Sequence, residues 1–325
     1  MKLDLNLYKR LLSVNHPSKS EYPMMSLVIN ECYKIGNLEF EIDNYCNIFI
    51  KKNTTNPEYY PCVVAHMDCV LDRPNRIVKI KKDKIYGINP TTNKQIGLGM
   101  DDANGVCCAL QLLKAVPDLK VCFTTEEEIG YNGAEIAAEN IDFFNDVSYM
   151  IQADRRGKSD LITHTNGIDS ASEDWLQDIT PLMAQYGYVE EWGTGTDIGE
   201  LAEKLQLSGV NISCGYDNEH SDSEHTILPH LQNCLNFMEA ILKTIPLVKQ
   251  YEIHPVIPYW HRYNDYGKGY NFTWDQEWDY DSKSKAKTVT SEYPKEWDDD
   301  LPCYHCKDYD CMHCPYDSYL NDSKR

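Results

Sequence analysis

The sequence has no basic stripe. Its 325 residues carry 31 Lys and Arg against 51 Asp and Glu, for a formal net charge of −20. Proteins hold phosphate backbones with clustered Lys and Arg, so nucleic acid is not an expected partner. An anionic membrane surface is disfavoured for the same reason. Long apolar runs are missing too: nothing approaches the roughly 20 apolar residues of a membrane span. Residues 1–12 alternate charged with apolar side chains instead of forming the apolar core of a signal peptide. No internal repeat is visible. The expectation is a soluble cytoplasmic protein.

Thirteen cysteines are present. Nine are scattered through the main body, with Cys107 and Cys108 in a helical pattern and Cys122 and Cys214 in strand-like runs. These read as small buried hydrophobes in a reducing compartment. The length suits one large α/β domain, or a domain with an appendage.

Residues 1–247 alternate helical periodicity with short apolar runs. Helices are expected at 5–12, 23–35, 103–115, 133–140, 174–186 (with Pro181 as a kink), 197–205 and 228–245. Strands are expected at 61–65, 119–123, 148–152 and 210–214, and an antiparallel ribbon at 40–51. Strands alternating with helices imply an α/β protein with a mostly parallel sheet covered on both faces. From 248 to 325 the chain is dense in Tyr, Trp and Asp and lacks periodicity, so it reads as a separate C-terminal extension.

Five short segments sit where expected strands end or loops begin, the edge at which α/β sheets place ligands. The first is Ala65-His66-Met67-Asp68, in which His66 and Asp68 project to the same side at a period of two, so that the carboxylate can support the imidazole. The second, from Gly97 to Gly105, opens a helix and leaves the Asp101 carboxylate free to bridge two cations. In the third, Glu126-Glu127-Glu128, the carboxylates repel one another unless cations or protons intervene. The fourth is Gln152-Ala153-Asp154, and the fifth runs from Tyr216 to Glu224 and contains His220. Each is weak alone. Together they supply enough imidazole and carboxylate donors, plus a free base, for two ions about 3.5–4 Å apart, a set that suits Zn²⁺, with Mn²⁺ or Co²⁺ as alternatives.

In this order the motifs, spanning residues 60–230, resemble those of the co-catalytic di-zinc exopeptidases, with peptidase T-like tripeptidases nearest and glutamyl aminopeptidases related. The resemblance implies a three-layer phosphorylase/hydrolase-like α/β fold. It implies His66, Asp101 and Asp154 on one metal, and Asp101, Glu128 and His220 on the other. It also implies Asp68 as the residue orienting His66, Glu127 as the general base, and a cis peptide at Asp101–Asp102. Within the resemblance, aspartate rather than glutamate at position 154 implies an aminopeptidase, expected to act on short peptides. The turn from Gly193 to Asp197 resembles a substrate-proximal loop of the group, and it also reads as a simple helix start capped by Thr196.

The chain departs from these families in several places. The interval between Asp154 and His220 is too short for the lid domain of peptidase T-like enzymes. The interval from Cys69 to Met100 is too short for the inserted domain of glutamyl aminopeptidases. Ala103 stands where a lysine is common. His225 competes with His220 as the fifth ligand. Near the C-terminus, Cys303, Cys306, Cys311 and Cys314 form two C-x-x-C pairs, which read as a compact structural zinc site or as reduced or redox-active thiols. Two further functional readings stand beside the aminopeptidase: a metal-dependent amidohydrolase or deacylase of N-acyl amino acids, and a non-catalytic zinc-binding interaction protein. The last predicts damage to the base or the ligands, yet all of those residues are present. The sequence carries no signal for oligomeric state.

Overall fold

The computed structural model describes residues 1–253 apart from Asn166. The cysteine pairs at 303–314 and all but the first residues of the C-terminal extension lie outside the described residues. The chain begins with helices α1 (Leu5–Ser13) and α2 (Tyr22–Ile35). Strands β1 (Glu39–Ile42), β2 (Ile48–Lys52), β3 (Tyr60–His66), β4 (Ile77–Lys81), β5 (Lys84–Ile88) and β6 (Gln95–Ile96) follow. Next come α3 (Met100–Ala115), β7 (Leu119–Thr124), α4 (Asn132–Ala137), α5 (Ile141–Phe144), β8 (Val147–Arg155), β9 (Asp160–Thr165) and β10 (Ile168–Asp169). The described part ends with α6 (Glu173–Tyr186), β11 (Val189–Gly193), α7 (Asp197–Leu205), β12 (Gly209–Ser213), β13 (Tyr216–Asp217), β14 (His225–Ile227) and α8 (Leu228–Thr244).

A nine-stranded sheet runs β1-β2-β7-β3-β8-β12-β9-β10, with β11 also paired to β9. Its centre, β7-β3-β8-β12, is parallel throughout. These central strands are near-continuous apolar runs because both faces are covered. On β3 the side chains alternate between two cores: Val63 and Ala65 face one, Cys62 and Val64 the other. The first core is closed by α1, α2, α3, α6 and α8, through residues such as Leu11, Val28, Leu110, Trp175 and Leu235. The second is closed by α4, α5 and α7, through Ala134, Phe143 and Leu201. The result is a three-layer α/β/α architecture. Each fully buried Leu, Ile, Val or Phe contributes roughly 1.5–3 kcal/mol.

The structure adds elements that the sequence pattern does not reveal. A second, antiparallel sheet (β13-β14-β5-β4, with β6 on β5) stands beside the first. The helix expected at 133–140 stops at Ala137, because the Asn140 side chain accepts from Phe143 N–H and starts α5. Helix α3 begins at Met100, three residues earlier than expected, and Asp101 and Asp102 at its mouth have non-helical backbone angles and a cis peptide between them. The chain stays packed past residue 247: Tyr251 N–H donates to Ser148 O at 2.8 Å. The nine cysteines among the described residues are free thiols, and all but Cys46 are buried. Between Asp154 and His220 the elements among the described residues belong to the main sheet and its covering helices, apart from β13 of the second sheet, and none forms a separate lid. No helix among the described residues is long and apolar enough to cross a membrane.

Candidate metal centre

The carboxyl ends of the parallel strands bring the acidic segments to one place. His66 is the last residue of β3, Asp154 the penultimate residue of β8, and the Glu127–Ile129 3₁₀ turn follows β7. Asp101 comes from the mouth of α3, and His220 from the loop between β13 and β14.

The Asp101 carboxylate stands between two imidazoles. Its Oδ1 is 3.0 Å from His66 Nε2, and its Oδ2 is 3.3 Å from His220 Nε2. On the His66 side, Asp154 Oδ1 lies 3.6 Å from Nε2. On the His220 side, Glu128 lies 3.0 Å from Nε2. Glu127 Oε2 is 4.0 Å from His66 Nε2, and its carboxylate accepts no hydrogen bond from the described residues. His225 points elsewhere: it pairs with Tyr86 across β5, and its Nδ1 lies 3.0 Å from Ser223 O. The structure thus brings His66, Asp101, Glu127, Glu128, Asp154 and His220 together and leaves His225 out.

Asp102 also approaches His66 and Asp154, and those three could hold an ion. Its oxygens, however, are engaged by backbone donors, Gly105 N–H at 2.8 Å and His66 N–H at 3.3 Å. Asp101 lines the open cleft and Asp102 does not. Asp101 is therefore the carboxylate of the pair that the cleft exposes.

The donor chemistry fits divalent cations. Burial raises the carboxyl groups of Asp102, Glu127 and Asp154 well above the usual range. Nearby carboxylates, Asp154 for the first two and Asp101 for the third, add to this against an opposing pull from His66. So many buried acids within a few ångströms cannot all ionise unless positive charge joins them. His220 is pushed up to about 10 by Asp101 and Glu128, which would hold a proton in the place of a cation. Ligand atoms of Asp101, Glu128 and His220 all lie within 4.8 Å of one another.

No protein-family model matches the chain, and no curated protein sequence matches it. Solved structures do. An aminopeptidase, PepT, from Bacillus cereus superposes with a TM-score of 0.62 at 14% identity, covering 73% of this chain and 96% of that one. A tripeptidase from Staphylococcus aureus gives 0.59 at 13% identity, with 74% and 96% covered. An aminopeptidase from the archaeon Desulfurococcus kamchatkensis gives 0.58 at 17% identity, with 74% and 95% covered. The chain shares the fold of these three structures.

Around this cluster lies a layer of residues that hold its side chains in place. Asp68 is within 3.3 Å of His66 Nδ1 through its carboxylate and within 3.1 Å through its backbone oxygen. The same carboxylate also accepts from the N–H groups of Glu127 at 3.0 Å and Glu128 at 3.2 Å, and from Ser18 Oγ at 2.7 Å. Burial pushes Asp68 up, but the hydrogen bonds from His66, Ser18 and Glu127 outweigh it and hold the carboxyl below its usual range. Glu224, wholly buried, accepts from Leu98, Gly99 and Met100 N–H at 2.7, 2.9 and 3.0 Å and so fixes the entry to α3. Gln152 donates to Asp154 Oδ2 at 3.2 Å while its oxygen accepts from Thr196 Oγ and Ile198 N–H. Asn211 clasps the Asp154 backbone from both sides, at 2.9 and 2.8 Å.

Sequence reasoning assigned no role to Glu224, Gln152, Asn211 or Ser18. Glu224 and Gln152 lie inside the segments singled out from the sequence, and their chemistry was the available signal. Ser18 lies about fifty residues before Asp68 in sequence, and nothing in its surroundings marks it. The turn from Gly193 to Thr196 lines the cleft through Gly193, Thr194 and Gly195.

Proposed function

We propose that the chain is a metal-dependent aminopeptidase that removes N-terminal residues from short peptides. The observation that carries the reading is the Asp101 carboxylate, whose two oxygens face two different imidazoles, each with a further carboxylate beside it. One ion would be held by His66, Asp101 and Asp154, and the other by Asp101, Glu128 and His220. The mixture of imidazole and carboxylate suits Zn²⁺, with Mn²⁺ or Co²⁺ as alternatives. A cation pair there supplies Lewis-acid polarisation of the scissile carbonyl and an acidified water.

Glu127 does the proton work in this reading. Its carboxylate faces the cleft unpaired, and its backbone is anchored by Asp68. It accepts a proton from the attacking water and returns it to the leaving amine as the C–N bond breaks. Burial raises its affinity for that proton. Action at free N-termini is supported by the aspartate at position 154, the residue type that the family resemblance associates with aminopeptidases. Buried free thiols and a strongly acidic chain accord with a reducing cytoplasm.

Two measurements test the reading together: metal content of wild type and Glu127→Ala, and amino-acid release from a short peptide and its N-acetylated form. The expected outcome is two ions in both proteins once residues 301–325 with their cysteine pairs are deleted, release only from the free peptide, and a rate lower by about a hundredfold or more in the variant. Release from the acetylated peptide would favour an amidohydrolase instead.

A further inference from the structure

The cleft wall holds two guanidinium groups that the proposed chemistry does not use. Arg155 and Arg156 directly follow Asp154 at the end of β8, and both line the cleft. Neither is consumed by protein partners. The Arg155 side chain is only 21% exposed, yet its one contact is from Nε to Asp160 Oδ2 at 3.4 Å, longer than a good hydrogen bond. Arg156 is 60% exposed and donates from Nη1 alone, to Glu219 Oε1 at 3.1 Å. A guanidinium carries five N–H donors in a planar fork. The terminal nitrogens of Arg155, and Nε and Nη2 of Arg156, thus face no acceptor among the described residues. Arg76 is the contrast: it spends Nε, Nη1 and Nη2 on Arg73 O, Val14 O, Leu98 O and Asn15 Oδ1, as a structural arginine does.

We propose that Arg155 and Arg156 form a carboxylate-binding subsite, so that favoured substrates carry a carboxylate close to the scissile bond. This inference rests on the peptidase reading and deepens it. A planar fork pairs with a carboxylate through two parallel charge-assisted bonds. The exposed, single-contact pair between Arg156 and Glu219 is weak competition for such a ligand. Position supports the assignment. Consecutive Cα atoms are about 3.8 Å apart, and the two arginines stand one and two residues past Asp154. Glu219, the partner of Arg156, immediately precedes His220. Both arginines line the same cleft as Asp101, Glu128, Asp154 and His220. A di- or tripeptide cleaved at the cluster would carry its terminal carboxylate within that cleft, as would a substrate with an acidic side chain next to the scissile bond.

Binding calorimetry on the full-length, Zn²⁺-loaded Glu127→Gln protein tests this without depending on turnover. The probes are leucylglycine, leucylglycinamide and the α-amide of leucylaspartate. The carboxylate form of leucylglycine or the aspartyl probe should bind about tenfold or more tightly than leucylglycinamide. The advantage should vanish when Arg155→Gln and Arg156→Gln are added. Tight binding of leucylglycine assigns the subsite to the chain terminus, and tight binding of the aspartyl probe assigns it to the side chain. Arg156→Gln alone, at an exposed position, should remove part of the advantage in a protein with an unchanged melting profile. Equal binding of all three probes, or an advantage that survives the double substitution, overturns the proposal. Leucine release by the wild type is read separately, and its absence would count against the peptidase reading while leaving the binding comparison intact.

Discussion

Asp68 and Glu127 are joined by a hydrogen bond from the Glu127 N–H to Asp68 Oδ1, 3.0 Å long and buried. One carboxylate thereby sets the place of the candidate base, and through its other contacts those of Glu128 and His66. Asp68→Asn keeps the shape but puts an N–H₂ where one oxygen accepted. Activity or metal affinity should fall by about 10–100-fold, as is typical when a residue supporting metal ligands is lost. Steady-state kinetics with a metal titration checks this; unchanged values for both would remove Asp68 from the support of the site.

Glu224 is the second support. Its carboxylate receives three backbone N–H groups leading into Asp101. Glu224→Leu would leave those donors buried without partners, at a cost of about 1–3 kcal/mol for each unsatisfied group. Denaturant unfolding should show the loss, and metal affinity should fall with it because the backbone carrying Asp101 is freed.

Gly133 packs α4 against the turn that carries Glu127 and Glu128. A Cβ there would lie 2.1 Å from the Thr125 carbonyl oxygen and 2.6 Å from its nitrogen, both backbone atoms. Gly133→Ala should therefore destabilise by about 1–3 kcal/mol and lower activity by shifting the turn. A variant as stable and active as wild type would show that the turn yields freely.

Much of the site was legible in the sequence, for a physical reason. His66 and Asp154 end apolar runs that can only be buried strands, and in an α/β sheet those ends converge. Other features depended on contacts that no local pattern encodes. Asp101 and Asp102 are adjacent acids, and the backbone donors of Gly105 and His66 separate their roles. His220 and His225 lie five residues apart, and the pairing of β14 with β5 turns His225 away. That pairing belongs to the second sheet, whose β4 strand is largely exposed on both faces, so the sequence shows no clean alternation there. The Arg155–Arg156 pair was readable as two letters but became informative only through its unspent donors.

Far from the cleft, Glu31 predicts a pH dependence of stability. It is buried between Arg10 Nη1 at 2.6 Å and Lys34 Nζ at 2.7 Å. Burial alone would raise its carboxyl, but the two cations outweigh this and bring it from 4.5 down to about 2. The unfolded chain therefore binds this proton more readily than the folded one, so stability rises with pH across that interval. The contribution is complete above about pH 5, by the same linkage, and is lost as pH falls toward 2. Denaturant titrations at pH 6, 4 and 3 should show a shallower acid loss in Glu31→Gln than in wild type. Parallel curves would assign the acid sensitivity to other groups.

The sharing of Asp101 is tested most directly by anomalous diffraction from crystals of the Zn²⁺-loaded protein. The expected map has two peaks roughly 3.5–4 Å apart, one on each side of the Asp101 carboxylate, with His66 and Asp154 at one and Glu128 and His220 at the other. A single peak, or two peaks without Asp101 between them, would contradict the proposed centre.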